Sequence, residues 1–579
     1  MQVGADALNT APLNGTADGG SPPAPQPIPT GVAFTWRDQV LVAGVDVSAQ
    51  VTGVPEVDRE RGAAGIADFD MFMADDPNPA EWVGREVIIN YLSTSGGVTT
   101  SARLFTGHIE ETSWNPNERL LSCACSDRLQ QRVERLTIAE VDALIPCYWS
   151  ADVFEPAEGR SRWEYAEERL STVRASLDCD VNGTPRLTTW YAGPVDYDFG
   201  PDTTVYQSVE VIYADLSTLT NVVEIEADYR YPRLRQLVTN YSWQHPGTGG
   251  ATGIPGFCAW RPESTELPDV EMLRSATDSS GQVMVNASFT RLPPSAGDPC
   301  GTGVPWVNGY SELVLGATWG GIRRWVQSVT EQYQLRVEAI SSVSAVGEVI
   351  VREGSAVEIE SDRTERWEQS LERMSRGGLV EGSYDTEDDD LRAEDRRQLF
   401  LRCQLNQAAT TIVRAHNASG LAWDTPTSLV MGVDLGHTLK MNDQGVAGIG
   451  RCSRLQHRLD KASGVAMTTL TIAVMRGGGS VNDPLTPPPI PAEPPPGSGG
   501  EPVTPGLITQ LGGSPDSGDY DDDADGFSGN YDNFDPSYPR FPRRFAITAP
   551  EIAAEMVDEQ IIQVGQTYRI AIPNDLLEL

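Results

Sequence analysis

Residues 223–231 alternate without a break, with Val223, Ile225, Ala227, Tyr229 and Tyr231 set against Glu224, Glu226, Asp228 and Arg230. A period of two puts every apolar side chain on one face of an extended strand, so this stretch is half-buried in a sheet and cannot sit as a helix. Tyr333, Leu335, Val337 and Ala339 repeat the pattern. The chain between them, about 244–305, is rich in Gly, Pro and Ser and reads as an insertion or long excursion.

Further strands flank this framework. Residues 83–92 (VGREVIINYL) form an apolar run that ends in the turn Ser95-Gly96-Gly97. A second strand runs to Phe105-Thr106-Gly107-His108-Ile109, and a third spans Arg119 to Cys125 after the turn Asn115-Pro116-Asn117. Such spacing suits a small antiparallel barrel or sandwich. From about 138 to 205 the period becomes helical. Ser161 and Glu164 make a capping-box pattern, and Trp163, Ala166, Leu170, Val173 and Leu177 follow at helical spacing, which predicts one amphipathic helix among loops. A second helix is expected over 391–416 with Leu399, Cys403 and Val413 buried, after an acidic surface loop at 376–390. Strands return at Leu421-Ala422-Trp423 and at Leu470, Ile472 and Val474.

The fold class expected is mainly β with some α (α+β), in several domains. With 579 residues, about four are anticipated at roughly 150 each. The boundaries read as an extended arm (1–31), a first β domain (32–137), a helical and loop region (138–205) and a β-rich middle domain (206–390, with the 244–305 insertion). A helix plus second β domain (391–476), a Pro/Gly-rich and acidic linker (477–540) and a C-terminal β element (541–579) complete the chain.

Charge excludes several functions. The chain carries 82 acidic residues against 43 Lys and Arg, for a formal net charge of −39, and Lys440 and Lys461 are its only lysines. That balance repels phosphate backbones, so sequence-specific DNA binding is not expected. No apolar run approaches the ~18 residues of a membrane helix. No cation precedes Arg37 and no apolar run opens the chain, so no signal peptide is expected. Eight cysteines are too dilute for a disulfide scaffold, although Cys258 and Cys300 flank the excursion and would be the pair to form one.

No catalytic signature is present: there is no G-x-S-x-G, H-E-x-x-H, P-loop or complete G-x-G-x-x-G. His108, His245, His416, His437 and His457 are scattered and read as structural, and Cys123 and Cys125 as buried thiols sharing one strand face. The expectation is a protein that is not an enzyme. One metal pattern stands out. Asp521, Asp523 and Asp525 alternate before Gly526, with Phe527 at a backbone-carbonyl position and Asp532 closing the loop. This spacing matches an EF-hand-type Ca²⁺ loop, with Asp in place of the usual final Glu and no amphipathic flanking helices.

Two stretches carry a family resemblance. Phe105-Thr106-Gly107-His108-Ile109, a turn, and Arg119 to Gln130 (RLLSCACSDRLQ) form the first. Val433-Asp434-Leu435-Gly436-His437-Thr438-Leu439, then Gly448-Ile449-Gly450-Arg451-Cys452, His457-Arg458-Leu459-Asp460 and Gly464 to Val474 form the second. They resemble the first and second tube-forming domains of tailed-bacteriophage baseplate hub and tail-tip proteins, through a "TG-x-I" strand, a strand ending in Asp, and a "DLG-x-T" strand with its following strand pair. The two matches cover about a third of the chain.

The resemblance implies a structural virion protein at the tail tip or baseplate, assembled in the host cytoplasm. It implies a homotrimer whose two tube-type domains per chain ring an axial channel. Its partners would be the distal tail protein and tail tube above, a fibre or spike below, and the tape measure protein. DNA would pass only in transit, through an acidic lumen, and the host surface would be met indirectly. Two other readings compete. One is a receptor- or glycan-binding adhesin using Trp243, Trp260, Trp306 and Tyr310; the other is a tail-borne cell-wall hydrolase, which the missing motifs disfavour.

Overall fold

The computed structural model describes residues 24–215, 218–245, 268–291, 314–370, 384–387, 391–491, 504–512, 521, 523–530 and 544–579. The chain is mainly β with some α, and among the described residues its sheets stay open, with no closed barrel. Strands β1 (Thr35–Val42), β2 (Val45–Asp46), β3 (Val51–Glu60), β4 (Ile66–Phe72), β5 (Glu86–Ser95), β6 (Val98–Asn115) and β7 (Leu120–Ser126) come first. Helices α1 (Leu129–Glu134), α2 (Ile138–Leu144) and α3 (Arg162–Leu170) follow, then β8 (Ala175–Cys179), β9 (Pro185–Thr189), β10 (Tyr197–Phe199) and β11 (Glu210–Ile212). The middle of the chain holds β12 (Val222–Gln244), α4 (Val270–Ser279), β13 (Val283–Arg291), β14 (Val314–Glu338), α5 (Ile340–Val346), β15 (Ile350–Glu358), α6 (Thr364–Trp367) and β16 (Tyr384–Glu387). Then come α7 (Glu394–His416), β17 (Ser419–Pro426), β18 (Thr438–Asp443), β19 (Val446–Asp460), β20 (Val465–Val474) and β21 (Arg476–Gly478). The chain ends with β22 (Gly506–Gly512), β23 (Gly526–Asn530), β24 (Arg544–Ala546), α8 (Ala554–Val557), β25 (Gln560–Arg569), β26 (Ile572–Asn574) and β27 (Leu577–Glu578).

The alternating stretches become one long antiparallel ribbon. β12 and β14 pair from Val222↔Glu338 to Gln244↔Gly316. Val223, Ile225, Ala227, Tyr229 and Tyr231 turn inward with Tyr333, Leu335 and Val337, and α7 covers them with Phe400, Leu401, Leu405, Ala408, Ala409, Ile412 and Val413. Cys403 and Val413 are buried as expected, but Leu399 is 39% exposed. It falls one position off the buried stripe Arg397, Phe400, Gln404, Ala408 and Ile412, and a single residue is 100° of helix turn. Within the excursion, α4 is capped by Asp269, and β13 pairs back onto β14 from Val283↔Ile322 to Arg291↔Val314. Cys258 and Cys300 lie outside the described residues. Of the 376–390 stretch, Tyr384–Glu387 pairs with β12, and the remainder is outside the described residues.

The region after β7 differs from the single helix expected. It holds three short helices and the β8–β9 hairpin, and α3 stops at Leu170, so Val173 and Leu177 do not continue it. Ser161 accepts from the Glu164 N–H, but Glu164 does not complete the box. Instead Glu134 of α1 accepts from the N–H groups of Arg162 (3.0 Å) and Trp163 (3.2 Å). A carboxylate from a neighbouring helix thus satisfies the free donors of this terminus.

The Pro-rich stretch does not lead away from the body over its described first part. Asp483 N–H donates to the Arg569 carbonyl (2.8 Å). Tyr568 Oη donates to the Thr486 carbonyl (2.7 Å), and Arg397 Nη2 to the Pro488 carbonyl (3.2 Å). Strand β25 then runs parallel to β14 from Val329↔Gln560 to Glu338↔Arg569, and Tyr568, Ile570 and Ile572 enter the main core. The last segment is docked on its own chain.

Candidate assembly interface

The two stretches that carry the resemblance meet in one 14-stranded sheet, whose order is β11-β17-β20-β19-β3-β4-β7-β6-β5-β1-β2, with β10, β18 and β27 attached at β19's side. The junction is β3 against β19, antiparallel, from Glu56↔Arg458 to Glu60↔Arg454. Alternation decides which side is which. Val57, Leu455 and Leu459 are fully buried on one face. On the other, Arg454 pairs with Asp58, and Arg458 Nε lies 3.5 Å from Glu56. Asp68 and Asp70 of β4 extend this open face, and the Asp68 carboxyl is pushed up by partial burial and by the charges of Glu56 and Asp70. The open face at the junction is therefore acidic.

Beneath the junction His457 is buried, with Nδ1 2.8 Å from Thr468 Oγ1. Burial, helped by the Arg59 charge, lowers its pKa to about 3, so the ring is neutral. His416 is likewise held, by the Ile412 carbonyl and Ser342 (both 2.8 Å).

The motif residues position the backbone. At Gly107 an added Cβ would lie 2.4 Å from the Ser126 carbonyl and from the Phe105 ring, so only glycine fits there. Thr106 Oγ1 donates to the Val181 carbonyl (2.8 Å). Asp127 accepts from the N–H groups of Gly65 (2.8 Å) and Leu129 (3.0 Å), which ends β7 and starts α1. In the second motif Asp434 accepts from Arg59 Nη1 (2.8 Å) and Arg186 Nη1 (2.5 Å). Arg59 Nη2 also donates to the Cys179 carbonyl (2.8 Å), and Arg186 Nε to Asp178 (2.8 Å). Burial would raise the Asp434 carboxyl, yet the Arg186 hydrogen bond and the Arg59 and Arg186 charges hold it well below the usual carboxylate range. His437 Nδ1 accepts from the Asp434 N–H (2.9 Å), and Gly193 N–H donates to Thr438 Oγ1 (2.8 Å). This lock ties β3, the β8–β9 hairpin and the loop before β18 into one piece.

Arg59 and Arg186 were not legible as functional. The available signal was Arg59 itself, in phase with Val57 on the apolar face of β3.

The remaining predicted residues are dispersed. Asp521 exchanges hydrogen bonds with Gln510, and its carboxylate accepts from the Asp523 N–H (2.9 Å). Both Asp525 oxygens accept from Thr548 (2.9 Å). Phe527 is a buried residue of β23, edge-on to Trp243, and Asp532 lies outside the described residues. Among the described residues no group of three or more His, Cys, Asp or Glu side chains is placed to hold a metal ion. Trp243 is 1% exposed, and Trp260, Trp306 and Tyr310 are outside the described residues. Burial raises the Cys123 thiol to about 12 and Cys125 higher still, as inert buried thiols behave.

Among the described residues neither end of the sheet has a further strand paired to it. One is the β1–β2 edge. The other is the three-residue β11, which ends in Ile212 (43% exposed) and is flanked by Tyr206 and Tyr213, 81% and 61% exposed. No helix among the described residues is long and apolar enough to cross a membrane.

No protein-family model matches the chain, and no curated protein matches it. Solved structures do. A tail protein from Neisseria meningitidis MC58 is 10% identical, covering 76% of this chain and 96% of its own, with a TM-score of 0.33. The 43 kDa tail protein of prophage MuSo2 from Shewanella oneidensis is 8% identical over 76% of this chain and 98% of its own, with a TM-score of 0.34. An E. coli component of the type VI secretion system is 8% identical over 79% of this chain and 81% of its own, with a TM-score of 0.25. The chain is similar to phage tail proteins and to a component of the type VI secretion system.

Proposed function

We propose that this chain is a structural virion protein of the tail tip, a homotrimeric baseplate hub rather than an enzyme. In this reading three copies end the tail tube, anchor a fibre or spike below, and surround the channel through which DNA leaves. The observation that carries it is the β3–β19 junction, which makes one sheet of the two tube-type halves within a single chain. Three such chains set six half-sheets around an axis, which is the count needed to meet a six-fold tube with a three-fold protein.

Edge chemistry supports the same arrangement. An open sheet end with unpaired backbone groups is a template for another strand, and the exposed Ile212 and Tyr213 offer apolar area beside it. The acidic open face, with Glu56, Asp58, Asp68 and Asp70, suits a lumen that repels DNA and lets it slide. The partners would be the distal tail protein, tail tube, tape measure protein and distal fibre.

The test is assembly. The double substitution Ile212→Asp and Tyr213→Asp is expected to leave the far-ultraviolet spectrum unchanged and convert a trimer to monomers in light scattering. A wild-type chain that is monomeric at micromolar concentration, or a trimer that ignores the substitutions, would contradict this reading.

A further inference from the structure

Strand β25 is paired along one side. Its ten residues run parallel to β14 in unbroken register, and among the described residues no strand lies against the other side. In a parallel pair each residue sends its N–H and C=O to the same neighbour, and successive residues alternate. Contacts at the end of the strand fix which residues face which way. Ile570 N–H donates to the Glu338 carbonyl of β14 (2.9 Å). Arg569 faces the other way: its N–H donates to Asp483 Oδ2 (2.8 Å), and its carbonyl accepts from the Asp483 N–H (2.8 Å). By the same alternation Ile561, Gln563, Gly565 and Thr567 turn both backbone groups away from β14, a row of donors and acceptors along one open edge.

This edge lacks the devices that usually protect one. Exposed edges are kept short, or carry charges or proline. From Gln560 to Tyr568, β25 has no charged residue and no proline. By contrast β15, at the opposite boundary of this part of the sheet, carries Arg352, Glu353 and Glu358. The side chains are unfinished too. Ile562 and Val564 pack on the main core but are only half-buried, and Ile561 on the other face is 58% exposed. A further strand would complete the cover of Ile562 and Val564 with its own alternate apolar residues. The edge already accepts extended chain at one end. Asp483 occupies the lane beside Arg569, and Asn482 Oδ1 accepts from the Ala571 N–H (3.4 Å). The chain then leaves the lane by a turn in which Thr486 N–H donates to the Pro484 carbonyl (2.8 Å), and Thr486 meets the Tyr568 hydroxyl on the inner face.

Size and charge choose the occupant. The open segment, Ile561 to Thr567, is roughly 20 Å long. Two rigid bodies meeting along so short a line bury far less than the ~1,200 Å² of a stable interface, and a second copy also brings a formal charge of −39 against the same charge here. A single extended segment needs no more than this lane. Carboxylates stand at both ends of it, Glu559 before Gln560 and Asp483 beside Arg569, which favours a segment with basic ends. We propose that the outer edge of β25 is a docking site for an extended segment of another polypeptide, apolar at alternate positions and basic at its ends, which joins the sheet as an added strand. This site does not depend on the hub reading.

The probe is a fluorescein-labelled synthetic nonapeptide of alternating threonine and valine with an arginine at each end, titrated with the full chain and followed by fluorescence anisotropy. Saturable binding is expected, with amides of the 560–569 segment gaining protection from hydrogen exchange when the peptide is bound. Gln563→Pro removes one outward N–H and fills the lane with its ring, while taking no bond from β14. It is expected to weaken binding at least ~10-fold and leave the melting temperature unchanged. The same peptide with glutamate at both ends is expected to bind at least ~10-fold more weakly. If Gln563→Pro fails to fold, the wild-type chain decides, because a peptide with proline at its centre should lose binding. Absence of saturable binding, or equal binding by the Gln563→Pro protein, the proline peptide or the glutamate peptide, would overturn the proposal. So would self-association of the wild-type chain that Gln563→Pro abolishes, which would give the edge to a second copy.

Discussion

Asp434 holds two arginines from elements far apart in the chain; Arg186 is also paired with Asp178, whereas the other partner of Arg59 is the neutral Cys179 carbonyl. Removing its charge strands Arg59, whose side chain is 4% exposed, in the interior. Asp434→Asn is therefore expected to lose about 3–5 kcal/mol in denaturant unfolding, the usual cost of breaking one half of a buried pair. Because the folded carboxyl lies below its unfolded value, this contribution is present above about pH 4 and is lost as pH falls further. His457 acts in a higher window. Unfolded, it takes up a proton near pH 6.5; folded, it resists down to about 3. Between those values unfolding binds a proton, so stability falls as pH drops, by up to ~1.4 kcal/mol per unit. His457→Gln should flatten the slope of urea midpoints between pH 6.5 and 4.5. An unchanged slope would mean the ring is already charged in the fold. The sequence points to Asp434 through its motif, but its arginine partners stand 375 and 248 positions away, beyond any local pattern.

At the scale of elements, α7 offers a paired comparison. Leu405→Ala removes a side chain fully buried against β12 and β14 and should cost about 2–5 kcal/mol, whereas Leu399→Ala on the same helix should stay within about 0.5 kcal/mol. The C-terminal strand is a second case. β25 covers the Val329–Glu338 edge of β14, and an added Cβ at Gly477 would fall 2.3 Å from Ile572 Cβ, so this closure is tight. Deleting 477–579 should bare that edge and the core beneath it, giving an aggregating chain. A soluble truncated protein with an unchanged melting temperature would show that β25 docks elsewhere. Long elements were readable because their periodicity repeats: the β12 and β14 alternation and the α7 stripe each span many residues. The short α1 and α2, of six and seven residues, carry too few turns for a period to show. The parallel docking of β25 joins segments more than 200 residues apart, and nothing local announces it.

For the whole molecule, the β3–β19 junction joins two groups of strands from distant parts of the chain into one 14-stranded sheet with an acidic open face at the junction. A formal charge of −39 per chain keeps such copies soluble and works against compact association, so any contact between them must come from backbone pairing and apolar edge residues rather than from charge. The direct measurement is electron-microscopic class averaging of the purified full-length protein viewed down its axis. The account predicts a three-fold particle with six similar lobes around an open centre, lined by the Glu56–Asp58 face. Isolated single chains, or oligomers whose sheets face outward with no central channel, would contradict it.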